Sequence, residues 1–597
     1  MKRKSIVSAS ATSAHVAPSQ ETVSLEYIAL VFCISFLGMI LLIGWLAIPT
    51  LFGYYSSIDF QQLSIGTFKC LLMLEPYQEW PWVGWFQENV NGQIFSVTIG
   101  GLVISLIFAT WLSIKAGKQS YGNDLLQVSG AELLEGKSAI RVLTELFKKE
   151  WKFSSKGVSV FPDLPLPSNR EKQGALIIGQ VGSGKTQILL PILNQVVKAK
   201  SKAVTFDIKG DFSSYFLHYD HVALLAPWDS RSIRWAISKD VKTEYQAELF
   251  AEALIAENTN DPMWSNSART ILAGCIVVLL SQKGQSWGWL SLSSLLNESP
   301  EKLQRLLSKY YPQGAKLVDP SSKTSQSMML TLHSQVKVIH QLAKAWGEAL
   351  DGVSLSEWVK SDQPDIQHII IQNHTDFSAL SKSLADLALY FISQTLLGLP
   401  DNSKRSVYFF LDEVAHLRFS QLPTLFSLGR SKGAKLFLGI QDLGLLNRYF
   451  SREEIQAISS MLGTLIVLRV SGVGDTLANL STALGTKEVE RLSSTFDYRG
   501  NNSYSWQRQE LPVVTEAEIS QLPQASEKGI VGYLSIAGSN VVAKLNWPLC
   551  SIKNQSPAIV WAEWVSGVIT EKSVPSRLKK LDQKLTSEFE GGDNAEH

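Results

Sequence analysis

Eight residues, Gly179-Gln180-Val181-Gly182-Ser183-Gly184-Lys185-Thr186, match the spacing GxxxxGK[ST]. Gly179, Gly182 and Gly184 let the backbone curl so that its N–H groups face phosphate oxygens. The N-terminus of the helix that follows adds its positive dipole. Lys185 is placed to reach β- and γ-phosphates, and the Thr186 hydroxyl to ligate Mg²⁺. The expected ligands are therefore ATP and Mg²⁺. A flexible glycine turn is the plain alternative, but ALII (175–178) before the motif reads as a strand and ILLPILNQVV after it as a helix.

Such a cradle requires an acidic partner at the end of a neighbouring strand. VYFFLDEVAHL supplies one: Val407 to Leu411 is an apolar run of the kind buried on both faces of a parallel sheet. Asp412 then emerges where open α/β sheets bind ligands. It is assigned to Mg²⁺, directly or through water, and Glu413 to orienting or activating an attacking water. Both could instead cap a strand–helix turn. The four cysteines are far apart without a CxxC pair, and the nine histidines are scattered, which argues against a disulfide framework and a zinc centre.

The elements that must position these groups are short apolar runs: AVTFDI (203–208), IQHIII (366–371), KLFLGI (435–440) and TLIVLRV (464–470). Interleaved with helical stretches, they predict an α/β fold with a mostly parallel, doubly wound sheet of RecA-like type. GIVGYLSIAGSNVVAKLNW adds a hairpin turning around Gly538–Asn540. From about 241 to 360 strand signals stop, and an all-α insertion is expected. There YQAELFAEALIA puts Tyr245, Leu249, Ala253 and Phe250, Leu254 on one stripe, Ser299-Pro300-Glu301 starts a helix, and ILAGCIVVLL (271–280) reads as a buried core helix too short to cross a membrane.

Two uncharged apolar stretches, 27–48 and 94–114, each have about the 20 residues a transmembrane helix needs. Lys2, Arg3 and Lys4 precede the first and Lys115 and Lys118 follow the second, whereas the loop 49–93 carries a single lysine, Lys69, among four carboxylates. The positive-inside rule places both termini in the cytoplasm. The expected organisation is a membrane anchor (1–120), two halves of a nucleotide-binding domain (121–240 and 361–555) flanking the insertion (241–360), and a tail (556–597). A formal charge of +1 excludes a strongly basic nucleic-acid carpet but not a local basic surface.

In this order, the features resemble the TraD/TraG family, the coupling proteins of conjugative type IV secretion. DPMWSNSARTILA (261–273), TFDIKGDF (205–212), SLGRSKGAKLFLGIQDLGLL and LRVSGVGDTLANLSTALGTKEVE are similar to family segments. The resemblance implies that Gln441 is a sensor contacting the γ-phosphate or water, with a polar strand cap as the plain reading. It implies that Arg430 reaches a neighbouring subunit's nucleotide, with a solvated helix-end cation as the plain reading and Arg469 as the fallback. Asp207, Lys209 and Asp211 match family positions, although strand-end turn chemistry accounts for them as well. It further implies a homo-hexamer in the bacterial inner membrane that pumps single-stranded DNA, or a relaxase–DNA complex, toward a type IV secretion channel. The acidic end (Glu588, Glu590, Asp593, Glu596) is a candidate dock for relaxosome proteins or a solvated end. Two rival readings are an FtsK-like double-stranded DNA translocase and a receptor ATPase for protein effectors; the tail of about forty residues (556–597) is expected to be too short for a winged-helix DNA reader. An ABC-type transporter is disfavoured by the lack of an LSGGQ-like signature and by only two spans.

Overall fold

The computed structural model describes residues 25–42, 103–113, 125–257, 261–471, 475–496 and 502–566. The chain divides into a smaller unit, 1–128 with 489–509, and a larger one, 129–488 with 510–597.

The smaller unit contains the helices Leu25–Leu42 and Val103–Ser113. It also holds most of a three-stranded sheet of order β1-β12-β13, built from β1 (Leu125–Gly130), β12 (Thr486–Phe496) and β13 (Asn502–Pro512). Both helices expose large apolar side chains, such as Ile34 and Ile107. Their hydroxyls turn inward: Ser35 donates to the Val31 carbonyl and Thr110 to the Leu106 carbonyl, each at 2.6 Å. The remainder of the expected spans, 43–48, 94–102 and 114, lies outside the described residues, as does the acidic end beyond 566.

The larger unit is built on a ten-stranded sheet. Its remaining strands are β2 (Glu132–Glu135), β5 (Ala175–Ile178), β6 (Lys202–Asp207), β7 (Val222–Leu225), β8 (His368–Gln372), β9 (Val407–Leu411), β10 (Ala434–Ile440), β11 (Thr464–Val467), β14 (Ile530–Ile536) and β15 (Val541–Trp547). A separate ribbon pairs β3 (Lys156–Phe161) with β4 (Leu164–Pro167). The sheet order is β2-β15-β14-β11-β5-β10-β9-β6-β8-β7. From β11 to β7 neighbours run parallel. Every residue of β5, β8, β9 and β10 is buried, as expected for strands covered on both faces.

Beyond β11 the sheet becomes mixed, where the expected hairpin joins it; seven of its nine pairings are parallel, in keeping with a mostly parallel sheet. β14 runs antiparallel to β11, β15 antiparallel to β14, and β2 parallel to β15. The hairpin β14–β15 turns over residues 537–540, with Gly538 at φ +74°.

Between β7 and β8 the chain is helical. Its longest helix, Pro262–Lys283, has proline at its first turn and Gly284 at φ +60° past its end. It has 22 residues, so the stretch at 271–280 belongs to a helix long enough to cross a membrane by length and composition. Burial within the helical layer covers 67 % of its apolar window, which accounts for that hydrophobicity without a bilayer. Ser299 caps the helix Pro300–Tyr310 by accepting from the Lys302 N–H. In Glu244–Leu254 the buried face is Ala247, Phe250, Ala251 and Leu254, while Tyr245 is exposed, so the stripe sits about one residue away from the expected phase. Residues 555–564 are held against the larger unit: the Gln555 and Ser556 amides donate to Ser214 O, and Trp564 Nε1 donates to Pro227 O at 2.7 Å.

Candidate functional site

Register brings the site together. Ile178 of β5 is level with Ile440 of β10 and with Val467 of β11, so the segments that follow these strands emerge at one edge of the sheet. β10 lies between β5 and β9, and therefore Gln441 leaves the sheet between the glycine loop and Asp412.

The loop is anchored at its start. The Gly179 N–H donates to Ile440 O at 3.1 Å, and the Gln180 N–H to Arg469 O at 2.8 Å. Gly182 and Gly184 have φ of +79° and +100°, values disfavoured for residues bearing a Cβ. At Gly179 a Cβ would meet the Ser183 hydroxyl at 2.4 Å, and at Gly184 the Ile530 side chain at 2.7 Å. Val181 at the tip is exposed. The helix Lys185–Lys198 starts directly after the loop.

Lys185 is buried, and its ammonium donates to Gly179 O at 2.6 Å. Burial lowers its pKa, while the carboxylates of Glu413 and Asp412 oppose that effect. The Thr186 hydroxyl lies 3.2 and 3.1 Å from the two Asp412 carboxylate oxygens. Burial raises the Asp412 pKa; the Thr186 hydrogen bond, Lys185 and Lys209 pull it down. Glu413 is buried and pushed up to about 7, chiefly by desolvation, against Lys185 and hydrogen bonds from Gln441. The Gln441 N–H donates to Glu413 Oε1 at 3.2 Å.

Two buried oxygens here have no protein partner, Glu413 Oε2 and Ser183 Oγ. Orphaned polar atoms of this kind call for a ligand or water. A hydroxyl and a carboxylate side by side form an oxygen donor set suited to Mg²⁺. Together with a glycine loop that a Cβ would fill, the residues fit a nucleotide and its Mg²⁺.

The other sequence candidates are distributed as follows. Arg430 is exposed on the last turn of Leu422–Lys432, just before β10 begins, at the sheet edge opposite the loop. Arg469 contributes its carbonyl to the loop. Asp207 is fully buried and accepts from the Gly210 N–H (2.9 Å), the Ser213 N–H (2.8 Å) and the Ser213 hydroxyl (2.8 Å), so strand-end turn chemistry occupies it. Lys209 and Asp211 lie near enough for their charges to act on Asp412. Two contributors escaped the sequence reading. Gly439 is one: a Cβ there would meet Asp412 O at 2.2 Å, and an isolated glycine inside KLFLGI is the signal of such a close approach. Ile530, beneath Gly184, gives no local signal.

Fold and loop define a class, the RecA-like P-loop α/β proteins. Within it, the chain belongs to the type IV secretion-system coupling proteins: the family model described as "Type IV secretion-system coupling protein DNA-binding domain" matches residues 158–547. Over 496 residues the chain is 24 % identical to "Coupling protein TraD" of Escherichia coli (strain K12), an alignment covering 81 % of this chain and 66 % of that protein. The chain thus spans just under two thirds of that relative's length. Among solved structures it is similar to the bacterial conjugative coupling protein TrwBdeltaN70 in its unbound monoclinic form, with a TM-score of 0.60, 21 % identity, and coverage of 73 % of this chain and 96 % of that one. TrwB in complex with ADP and Mg²⁺ gives the same TM-score and identity over 74 % of this chain and 99 % of that chain. At this identity the structural likeness shows the fold.

Proposed function

We propose that this chain is an ATPase motor of a conjugative type IV secretion system, anchored in the bacterial inner membrane by two spans (27–48 and 94–114) with both termini cytoplasmic. It assembles as a homo-hexamer and moves single-stranded DNA, with its relaxase, toward the secretion channel. The nucleotide domain is split into 121–240 and 361–555 around the insertion at 241–360. The observation that carries the catalytic part is the Thr186 hydroxyl within 3.2 Å of both Asp412 oxygens, directly beside the glycine loop. Family membership and the TraD relative support the transport part, and the TrwB complex with ADP and Mg²⁺ supports the nucleotide part.

In this reading residues 179–186 hold the phosphates of ATP through backbone N–H groups, and Lys185 offsets their charge. Mg²⁺, held by Thr186 and Asp412, supplies charge neutralisation on the phosphate oxygens. Glu413, in its ionised form, accepts a proton from the attacking water at Oε2, the atom left without a partner. Gln441, already bonded to Glu413, orients that water and senses the γ-phosphate. Arg430 serves the nucleotide of a neighbouring subunit, where such a cation stabilises charge on the transferring group.

The test is steady-state ATP turnover of the full chain in detergent, with and without single-stranded DNA. Lys185→Thr and Asp412→Ala are expected to abolish turnover while leaving membrane insertion intact. Wild-type turnover in either variant overturns the site assignment. DNA-stimulated turnover supports the pump, and binding of protein substrates with no effect of DNA supports the receptor reading instead.

A further inference from the structure

At the opposite edge of the sheet, the half-buried Lys172 and the exposed Arg430 sit together without a carboxylate partner. Lys172 donates to Ser403 O at 3.0 Å, which leaves two of its three N–H groups unused. The adjoining Asn402 N–H donates to Ser431 O at 3.1 Å, so Lys172, the 402–403 turn and the helix end carrying Arg430 form one hydrogen-bonded patch. Phe426 of that helix lies against Gly174, where a Cβ would meet its ring at 2.7 Å.

Several nearby charges are matched in pairs, and Arg405 is held by the Pro400 and Lys432 carbonyls. Arg170 pairs with Glu150 at 2.6 Å and Lys432 with Asp401 at 2.8 Å, while the buried Lys435 pairs with Glu171. Among the described residues, the Lys172 ammonium has no ion pair, and the Arg430 guanidinium has neither an ion pair nor a hydrogen bond. Burial, and after it the Lys435 and Arg430 charges, lower the Lys172 pKa, against the opposing pull of the Glu171 carboxylate. Such an arrangement attracts anions.

That anion cannot sit in the chain's own glycine loop. β10 separates the two edges with seven residues, or about 20 Å at roughly 3.3 Å per residue, more than either side chain spans. An anion bound here comes from another molecule. Resting on the reading above, in which Arg430 faces a neighbour's nucleotide, we infer that Lys172 is a second cation supplied to that same nucleotide, so that Lys172 and Arg430 together clamp the terminal phosphate oxygens held by an adjacent copy of this chain. Arg430 can grip two oxygens through its planar fork, whereas Lys172 supplies a movable point charge.

The experiment uses the full chain in detergent, with ATP as the probe. Lys172→Gln is expected to lower kcat by about 10²-fold, in the range of a lost transition-state donor, with KM changed less than about threefold; Lys172→Arg should recover most of the loss, which a packing role for the lysine would not predict. Mixing Lys172→Gln with Lys185→Thr protein should restore turnover, because one variant keeps an intact loop and the other an intact Lys172. Wild-type kcat in Lys172→Gln overturns the inference, and so does a failure of mixing to restore turnover at any ratio. If Lys172→Gln instead keeps its kcat and loses affinity for a single-stranded oligonucleotide, the patch binds nucleic acid and the clamp is refuted. Absence of turnover in the wild-type chain, by contrast, strikes the underlying ATPase reading.

Discussion

Replacing Glu413 with glutamine should make the nucleotide-free protein more stable at alkaline pH while removing its turnover. Burial raises the Glu413 pKa from 4.5 to about 7 in the folded chain. Between those values the folded chain keeps a proton that the unfolded chain has released, so stability falls as pH rises through this window and the loss is complete above about pH 7. At about 1.4 kcal/mol per tenfold change, the full penalty is about 3 kcal/mol, of which about 1 kcal/mol is already present at pH 5. Glutamine keeps the shape and cannot ionise. The stability gap between Glu413→Gln and wild type should therefore widen by about 2 kcal/mol from pH 5 to pH 8, a shift readable by thermal or urea unfolding of the apo chain at both pH values. Turnover should drop by about 10²–10⁴-fold, the usual contribution of a general base. A gap that is flat with pH, or a variant that hydrolyses ATP normally, refutes the assignment of Glu413 as a buried, strained acid poised for catalysis.

Gly184→Ala forces a side chain into φ +100° and against Ile530 at 2.7 Å; at roughly 1–2 kcal/mol for the backbone alone, fluorescent-nucleotide affinity should fall at least about tenfold, and unchanged affinity would contradict the cradle geometry. Asp240 accepts from Trp235 Nε1, the Ser354 hydroxyl and the Leu355 and Ser356 amides at 2.6–2.9 Å. Asp240→Ala orphans these buried donors and should cost about 3–5 kcal/mol, measured as a lower urea midpoint. Arg430→Ala should lose turnover but keep nucleotide binding, with partial recovery on mixing with Lys185→Thr; no recovery at any ratio would count against its role in trans.

The parts of the site written in contiguous residues were legible in advance. The glycine spacing of 179–186 and the apolar run leading to Asp412 are local patterns with local physical causes. So were β8, β9 and β10, because strands buried on both faces need unbroken apolar sequence. β7 went unread, since VALL is a run of only four residues, and so did strands that lack an unbroken apolar pattern. β4 is LPLP, where two prolines argue against a strand, yet it survives in a two-stranded ribbon. β2 is ELLE, and β12 and β13 are long and polar. Strand direction also leaves no local trace: β14 is as apolar as a parallel strand yet runs antiparallel to β11, a direction its hairpin with β15 does not fix. Within the site, the closeness of Gly439 to Asp412 and of Ile530 to Gly184 is a property of packing. The helical stripe at 244–254 was misplaced because Tyr245, apolar by type, faces solvent with its hydroxyl available to water.

The proposed motor rests on Thr186 and Asp412 acting on one divalent ion. The direct measurement is a structure of the full chain with a non-hydrolysable ATP analogue and Mn²⁺ in place of Mg²⁺, examined by anomalous scattering. A manganese peak bonded to the Thr186 hydroxyl and lying beside Asp412, with the phosphates on the amides of 179–186, is the expected result. Manganese and nucleotide bound elsewhere, with the loop still closed by Lys185 on Gly179 O, would contradict it.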